Sequence, residues 1–543
     1  MNSLLLLIVG IILFFIAYVT YGSFLAKEWG IDVKRETPAC THFDNTDFCP
    51  TDSKVLLGHH FSSIAGAGPI TGPILATIFG WLPVYLWVVI GSIFVGGVHD
   101  FGSLLASVRH EGKTIGEIIR VNVGARGKML FNLFAWLALV LVVAAFTDIT
   151  ASTFAFNPAT PEAIAGAQAG TASILFIFLA IGFGITVHRQ NANLAVSTIA
   201  GVALLAGAIW VGFHYPFIKL SVMQWRYLLL VYIFFASVLP VWLLLQPRDY
   251  LNSFLLYAML LGGIVGVIVY RPTLQLAAST GFAVGSGATT TYLFPMLFVT
   301  VACGAVSGFH SLVSSGTTSK QIAGEKDVKF VGYGAMLLEG VVAILALISV
   351  AYITTAEGTP VARFAAGLST FMNSFGLPIP LGRVFVTLAF SAFALTSLDS
   401  ATRIARYVFQ EFFDKGDGTE SLLTNKYVAT IITVACSLGL VFYGYARIWP
   451  IFGTTNQMLA AMALLAISTW LARSGRKTWM TMIPMVFMFA VTLTALVFSI
   501  RNFFLGKLWI LFGLGIGMLI LAVILILETI SVMGKAKTEG SKA

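Results

Sequence analysis

The chain has 543 residues, of which 58% are hydrophobic and only 10% charged. Soluble domains carry roughly 25% charge, so a water-soluble fold has too few polar groups to cover its surface and is excluded. The net charge of +9 is scattered over short connections between apolar runs, which makes it a signal of membrane topology rather than of nucleic-acid binding.

About fifteen runs are long and apolar enough to cross a hydrocarbon core roughly 30 Å thick. They lie near residues 3–26, 58–80, 83–108, 129–151, 171–187, 194–214, 227–245, 252–271, 292–317, 331–354, 381–402, 425–445, 449–472, 479–500 and 507–532. The runs are about twice as long as the strands of a membrane barrel and do not alternate, so the expected class is an all-α polytopic membrane protein. The first run has no basic leader and no small-residue cleavage site, and reads as a membrane helix. Of the 32 basic residues, only Lys219, Arg226, Arg271, Arg363, Arg383, Arg447, Arg501 and Lys507 fall in one alternate set of connections. This roughly threefold bias places the N-terminus outside, the C-terminus inside, and the 27–57 and 109–128 connections in the cytoplasm.

The run at 58–80 holds Gly66, Gly68, Pro69, Gly72 and Pro73 in mid-span. Glycine costs about 1 kcal/mol and proline about 3 kcal/mol inside a helix, and unwound backbone at membrane depth is tolerated only against protein or a wet cavity. A discontinuous helix is expected there. The run at 227–245 carries Pro240 and ends on Gln246-Pro247, and reads as a second discontinuous helix running the opposite way. Broken helices at matching places of two inverted halves point to a transporter's binding site. The expected organisation is an N-terminal helix and loop (1–57), a five-plus-five inverted-repeat transport core (58–402) in which the first helix of each repeat is broken, and accessory helices (403–543). Small residues that merely allow close helix packing are the alternative account of both runs.

Ionisable and polar residues inside spans are costly and mark function. Substrate contacts are expected from His60, Ser62, Ser63, Gly66, Gly68, Ser237 and Pro240, on the two expected breaks. Ion or proton coupling is expected from His59, His99, Asp100, Asp148, His310, Ser314 and Ser315. Histidine titrates near neutral pH, and the hydroxyl-rich run 307–318 offers oxygens that can hold Na⁺. For Asp148, a coupling-ion ligand and a helix-packing hydrogen bonder weigh equally. Glu339 is the one acid of its span, and Asp399 is placed to pair with Arg403 at i+4. Cys40, His42 and Cys49 share one loop and with a neighbouring carboxylate can hold Zn²⁺, although their spacing matches no standard zinc motif; two free thiols are the other reading. No phosphate-binding loop, zinc-protease helix or nucleophile elbow occurs, so no enzyme is expected.

The stretches Thr37-Pro-Ala, Pro50-Thr-Asp, Leu57-Gly-His-His-Phe-Ser-Ser-Ile-Ala-Gly-Ala-Gly-Pro-Ile-Thr-Gly-Pro-Ile-Leu-Ala76, Val98-His-Asp-Phe and Arg109-His-Glu-Gly-Lys-Thr-Ile-Gly-Glu117 closely resemble the carbon starvation protein (CstA) family. The resemblance is strongest over 37–120. It implies uptake of pyruvate or short peptides across the bacterial inner membrane during carbon starvation, and kinship with the amino acid–polyamine–organocation superfamily and its inverted-repeat fold. The expected function is a secondary symporter driven by H⁺ or Na⁺. A membrane sensor or a channel without coupled transport is the alternative.

Overall fold

A computed structural model describes the chain except residues 1, 45–46, 160–163, 190–192, 241, 286–289, 354–357, 415–420 and 541–543. Twelve helices are long and apolar enough to span, a bent pair makes a thirteenth, and two shorter apolar helices correspond to the remaining expected runs. All fifteen runs therefore appear as helices. In chain order they are α1 (Ser3–Glu28), the bent pair α2 (Ser53–Ile64) and α3 (Gly68–Phe79), α4 (Trp81–Arg109), then a short interhelical α5 (Ile115–Asn122) and α6 (Ala125–Phe154). There follow α7 (Ile164–Val187), α8 (Ala195–His214), α9 (Val222–Val238) and α10 (Leu245–Tyr270). The span Leu293–Lys320 consists of α11 (Leu293–Val301) and α12 (Gly308–Gly316). The remaining helices are α13 (Glu325–Tyr352), a short α14 (Pro360–Asn373), α15 (Ile379–Phe413), α16 (Lys426–Val441), α17 (Tyr445–Arg473), α18 (Trp479–Leu505) and α19 (Trp509–Ser531).

The packing divides the spans into two corresponding sets of five. The long helices α6 and α15 lie along each other at the centre, and α9 and α16 each pack against both. The helix α10 packs on α2 and α15, as α17 packs on α12 and α6. The first set is thus α2–α3, α4, α6, α9 and α10, and the second is α11–α12, α13, α15, α16 and α17. The pair α7–α8 is inserted between the third and fourth members of the first set and packs on itself and on α15 and α10. An even insertion preserves the parity that keeps the two sets inverted. Residue 402, where the sequence placed the end of the core, falls inside α15. The helix α1 leans on α13, and α18 and α19 on α17 and α6.

Both halves are broken at the start, but the second break is not where the proline pattern put it. The first helix of the first set ends at Ile64 and resumes at Gly68 with a bend of 46°. In the second set the chain leaves helical geometry at Ala302 (φ 46°, ψ −122°) and Ser307 (φ −146°, ψ 126°). Residues 222–238, by contrast, form one continuous helix. Pro240 lies in the connection that leads to α10, and Pro247 sits in the first turn of α10, where a missing N–H removes no intrahelical bond. Proline here marks a boundary between two spans rather than a fracture within one.

The basic connections gather at one end. The Cys49 N–H donates to the Lys320 carbonyl at 3.1 Å, and the Arg473 guanidinium reaches the Val121 carbonyl at 3.3 Å. Glu325, fully buried, takes both forks of Arg109, one at 2.8 Å, and the Asp32 N–H at 2.6 Å. At the opposite end Ser3 is tied to the Pro272 carbonyl and Phe156 to that of Leu220. Removing one partner of a buried ion pair strands the other, at about 3–5 kcal/mol. Glu325→Ala is therefore expected to lower thermal stability in detergent by about 3 kcal/mol, read as a fall in unfolding midpoint, whereas loss of the exposed pair Lys113–Glu111 leaves the midpoint unchanged.

Candidate functional site

The two breaks meet. A Cβ on Gly68 would stand 2.5 Å from Cys303 Sγ, and one on Gly72 would stand 2.2 Å from the Val301 carbonyl oxygen. Glycine at these points lets the backbones of α3 and α11 touch. Gly66 in the first break faces Ser397 of α15 and Phe146 of α6, with its absent Cβ 2.5 Å from Ser397 Oγ. The helix α17 closes the other side. A Cβ on Gly453 would stand 2.3 Å from the Val299 carbonyl, and Gln457 donates to the Phe298 carbonyl at 2.6 Å. Asn456 caps α12 from outside: its Oδ1 accepts the Phe309 N–H at 2.9 Å and its amide donates to Ser307 at 3.0 Å.

Beside this crossing lies a cluster of four fully buried ionisable side chains. His99 Nδ1 is 2.7 Å from Asp100 Oδ1, and His310 Nδ1 is 2.8 Å from Asp100 Oδ2. His310 Nε2 is 3.3 Å from Glu339 Oε2. Among the described residues no Lys or Arg pairs with any of the four, so two carboxyl groups are balanced by imidazoles alone. A buried net charge is costly, and the cluster stays neutral only by holding protons. His60 is buried next to it, with Nδ1 2.8 Å from Thr318 Oγ1 and Nε2 without a hydrogen bond. Of the hydroxyls expected to coordinate an ion, Ser315 Oγ donates to the Ser311 carbonyl of its own helix at 2.7 Å. Ser314 Oγ is buried without a partner.

A second polar network, absent from the sequence reading, joins α2, α9, α10 and α15. Arg248, 1% exposed, binds Asp399 and Tyr232, and reaches Thr396 Oγ1 at 3.0 Å. Tyr232 donates to Asp399 at 2.7 Å, and Asn252 to Thr396 at 2.8 Å. Asp249 faces His59 Nδ1 at 3.4 Å and Ser63 Oγ at 3.5 Å. Ser62 donates to the Gly58 carbonyl at 2.7 Å, and Ser397 to the Ser63 carbonyl at 3.1 Å. Asp399 thus pairs with Arg248 and not with Arg403, whose guanidinium instead caps the Ala236 and Leu239 carbonyls at 2.7 and 2.6 Å at the end of α9. Arg248 falls in the connection between the expected runs 227–245 and 252–271, but α10 begins at Leu245 and carries the Arg248–Asp249 pair into the protein. The only sequence signal was two adjacent charges at the mouth of an apolar run.

Other expected site residues lie elsewhere. Asp148 pairs with Arg226 at 2.6 Å and caps α17 by accepting the Tyr445 N–H at 2.6 Å, which fits the packing role and separates it from the buried cluster. Ser237 faces Thr430 at 3.3 Å, between α9 and α16, and Pro240 stands in the adjoining connection; neither reaches the break at 65–67. The Cys40 thiol contacts the Ala323 carbonyl at 3.6 Å and His42 packs edge-on against Phe48. Among the described residues no group of three His, Cys, Asp or Glu is placed to hold a metal ion, so Cys40, His42 and Cys49 are not gathered into a site.

At the basic end a cavity of about 180 Å³ is lined by Thr51, His59, Trp242, Gln246, Tyr250 and Gln321. Toward the opposite end one cavity of about 130 Å³ is lined by Tyr292, Pro295, Phe498 and Arg501, and another of about 10 Å³ lies between Thr71, Thr153, Thr359 and Tyr445.

The family model described as carbon starvation protein CstA matches residues 2–359 and 354–495. A peptide transporter CstA of Escherichia coli (strain K12) is 33% identical over 91% of this chain and 80% of its own length. One of Bacillus subtilis (strain 168) is 31% identical over 93% and 92%. The pyruvate/proton symporter BtsT of Escherichia coli (strain K12) is 31% identical over 91% and 81%. Among solved structures, an Eremococcus coleocola manganese transporter is similar at a TM-score of 0.49 and 11% identity, over 90% of this chain and 99% of that one. MhsT in complex with L-phenylalanine is similar at 0.48 and 14%, over 88% and 99%.

Gly72→Ala is expected to force α3 from α11 and cost about 1–3 kcal/mol, seen as a lower unfolding midpoint. Gly182→Ala, which would meet nothing within 4 Å, is the control and stays at the wild-type value.

Proposed function

The chain belongs to the carbon starvation protein CstA family, and from that membership we propose that it is a proton-coupled secondary transporter that imports a small carboxylate of the pyruvate type. It works in the bacterial inner membrane under carbon starvation, with the basic end and the C-terminus in the cytoplasm and the N-terminus outside. The observation that carries this reading is the crossing of two broken helices beside a cluster of buried histidines and acids that has no fixed cation.

The break at 65–67 gives the substrate its seat. At the start of α3 the Gly68 and Ile70 N–H groups have no carbonyl one turn back within the helix, whereas Pro69 has no N–H and the Thr71 N–H bonds the Ala67 carbonyl; such a helix N-terminus favours an anion. Gly66 and Gly68 bring that backbone within reach, Ser62 and Ser63 add hydroxyls one turn away, and His60 offers an unpaired ring nitrogen. Histidine in the cluster favours H⁺ over Na⁺, because imidazole takes a proton near neutral pH while cationic imidazole repels a metal cation. His310 is the central carrier, facing Asp100 on one side and Glu339 on the other, with His99 holding the far oxygen of Asp100. The cavity beside α2 at the basic end supports an inward-facing stage of alternating access, with α6 and α15 as the fixed frame. The relative named a pyruvate/proton symporter supports a three-carbon acid. Short peptides are the second reading, favoured by the relatives named peptide transporters.

Purified protein in proteoliposomes is expected to exchange labelled pyruvate in counterflow and to accumulate it when an inward proton gradient is imposed. His310→Gln is expected to cut gradient-driven accumulation at least about tenfold, a loss of ~1.4 kcal/mol of coupling, and His60→Ala to slow counterflow. Ion conductance without exchange would identify a channel. Exchange of dipeptides but not of pyruvate would shift the substrate to the second reading.

A further inference from the structure

We propose that Asp249 and His59 form a second proton-binding site, the port through which the buried His310 cluster exchanges protons with the solution at the basic end. The inference rests on the proton-coupled reading above and adds a residue, Asp249, that the cluster does not contain.

The case starts from charge. Arg248 is the one permanent cation of its network, and it faces two aspartates, Asp399 and Asp249. Asp399 takes the guanidinium directly and is further bonded by Tyr232. Asp249 is left with distant partners: Arg248 Nη2 at 3.8 Å, Ser63 Oγ at 3.5 Å and His59 Nδ1 at 3.4 Å. Its side chain is 0% exposed, and its Oδ1 has no hydrogen bond. With His59 neutral, the network holds one uncompensated carboxylate in a dry interior, which desolvation strongly disfavours. One proton removes the excess. On His59 Nδ1 it converts the approach to Asp249 into a charge-assisted hydrogen bond.

Geometry supplies the route. His59 lines the cavity and its side chain is 10% exposed, so water reaches it. The four groups of the His310 cluster are 0% exposed. The neighbouring residue on the same helix, His60, is turned the other way, onto Thr318 of the 293–320 span, and lies within electrostatic reach of Asp100, His310 and His59. The two adjacent histidines therefore face the two networks, one each. The groups that surround the port are accounted for: His60 and Ser63 from α2, Arg248 and Tyr250 from α10, Asp399 from α15 and Tyr232 from α9. Phe183, Gly184 and Val187 of α7, with Thr51 and Gln321, carry no charge.

The test separates the port from the transport reading. His59 modification by diethyl pyrocarbonate, located by peptide mass spectrometry, reports its protonation in the full-length protein without any substrate. The pH profile of that modification is expected to be displaced in Asp249→Asn and unchanged in Glu339→Gln. An Asp249→Asn profile that coincides with wild type overturns the proposal. In proteoliposomes, Asp249→Asn and His59→Gln are each expected to lose about tenfold more of gradient-driven pyruvate accumulation than of counterflow, and Asp249→Glu to restore the coupling. Equal loss of both activities in the two variants, or coupling that survives both, also overturns it. If wild-type protein exchanges no pyruvate, the transport reading fails, and the modification profile still decides the port.

Discussion

Every main-chain N–H and C=O within a membrane has to find a partner inside the protein, because the lipid offers none. This chain leaves helical geometry twice at depth, at 65–67 and at 302–307. Its architecture is the solution to that problem. The two interruptions are set against each other, glycine at 68 and 72 removes the side chains that would hold them apart, and α17 supplies an amide to the exposed helix start at Phe309. The central pair α6 and α15 encloses what remains. Backbone polarity that would be intolerable in lipid becomes an addressable surface between helices.

The same dryness governs the side chains. Two networks of ionisable groups sit on either side of the first broken helix, and they obey different arithmetic. One contains a guanidinium and can be neutral only with a single added proton; the other contains no permanent cation and depends on protons for the whole of its balance. That contrast explains why neighbouring histidines on one turn, His59 and His60, have unlike surroundings. The pairs Arg109–Glu325 and Arg226–Asp148 tie connections together at the ends of the bundle, whereas Arg248–Asp399 lies fully buried beside the first broken helix.

Hydrophobic runs and the sign of their connections made the fifteen helices legible before any coordinates, because a bilayer sets both span length and charge asymmetry. The first break was equally legible, since five helix breakers in eight residues admit few other accounts. The second was not: Ala302, Cys303 and Ser307 are ordinary helix residues, and the break there lies against Gly68 and Gly72 of a distant span rather than at a local breaker. Pro240 misled for the opposite reason, being a strong breaker that sits where a helix ends anyway. His99, Asp100 and His310 could be singled out as buried ionisable groups, but their convergence with Glu339 joins three separate spans and has no local signature. Asp399 shows the limit of helical spacing as a guide: Arg403 stands four residues on, and a guanidinium from another helix takes the carboxylate instead.

The seams around α11 carry a mechanical implication. Its carbonyls at Val299 and Val301 lie against the bare backbones of Gly453 and Gly72, and Gln457 grips the one at Phe298. Contacts of main chain on main chain have no side-chain slack, so α3, α11 and α17 behave as a single block. The start of α12 is bolted to the same block through Asn456 and Gly308. Among the four half-helices at the crossing, α2 meets its neighbours through side chains: the buried Leu56, Phe61 and Ile64 beside its hydroxyls and imidazoles. The twelve residues of α2, which end at the bend of Ala65–Ala67, are thus the part of the crossing held by side chains instead of by main chain.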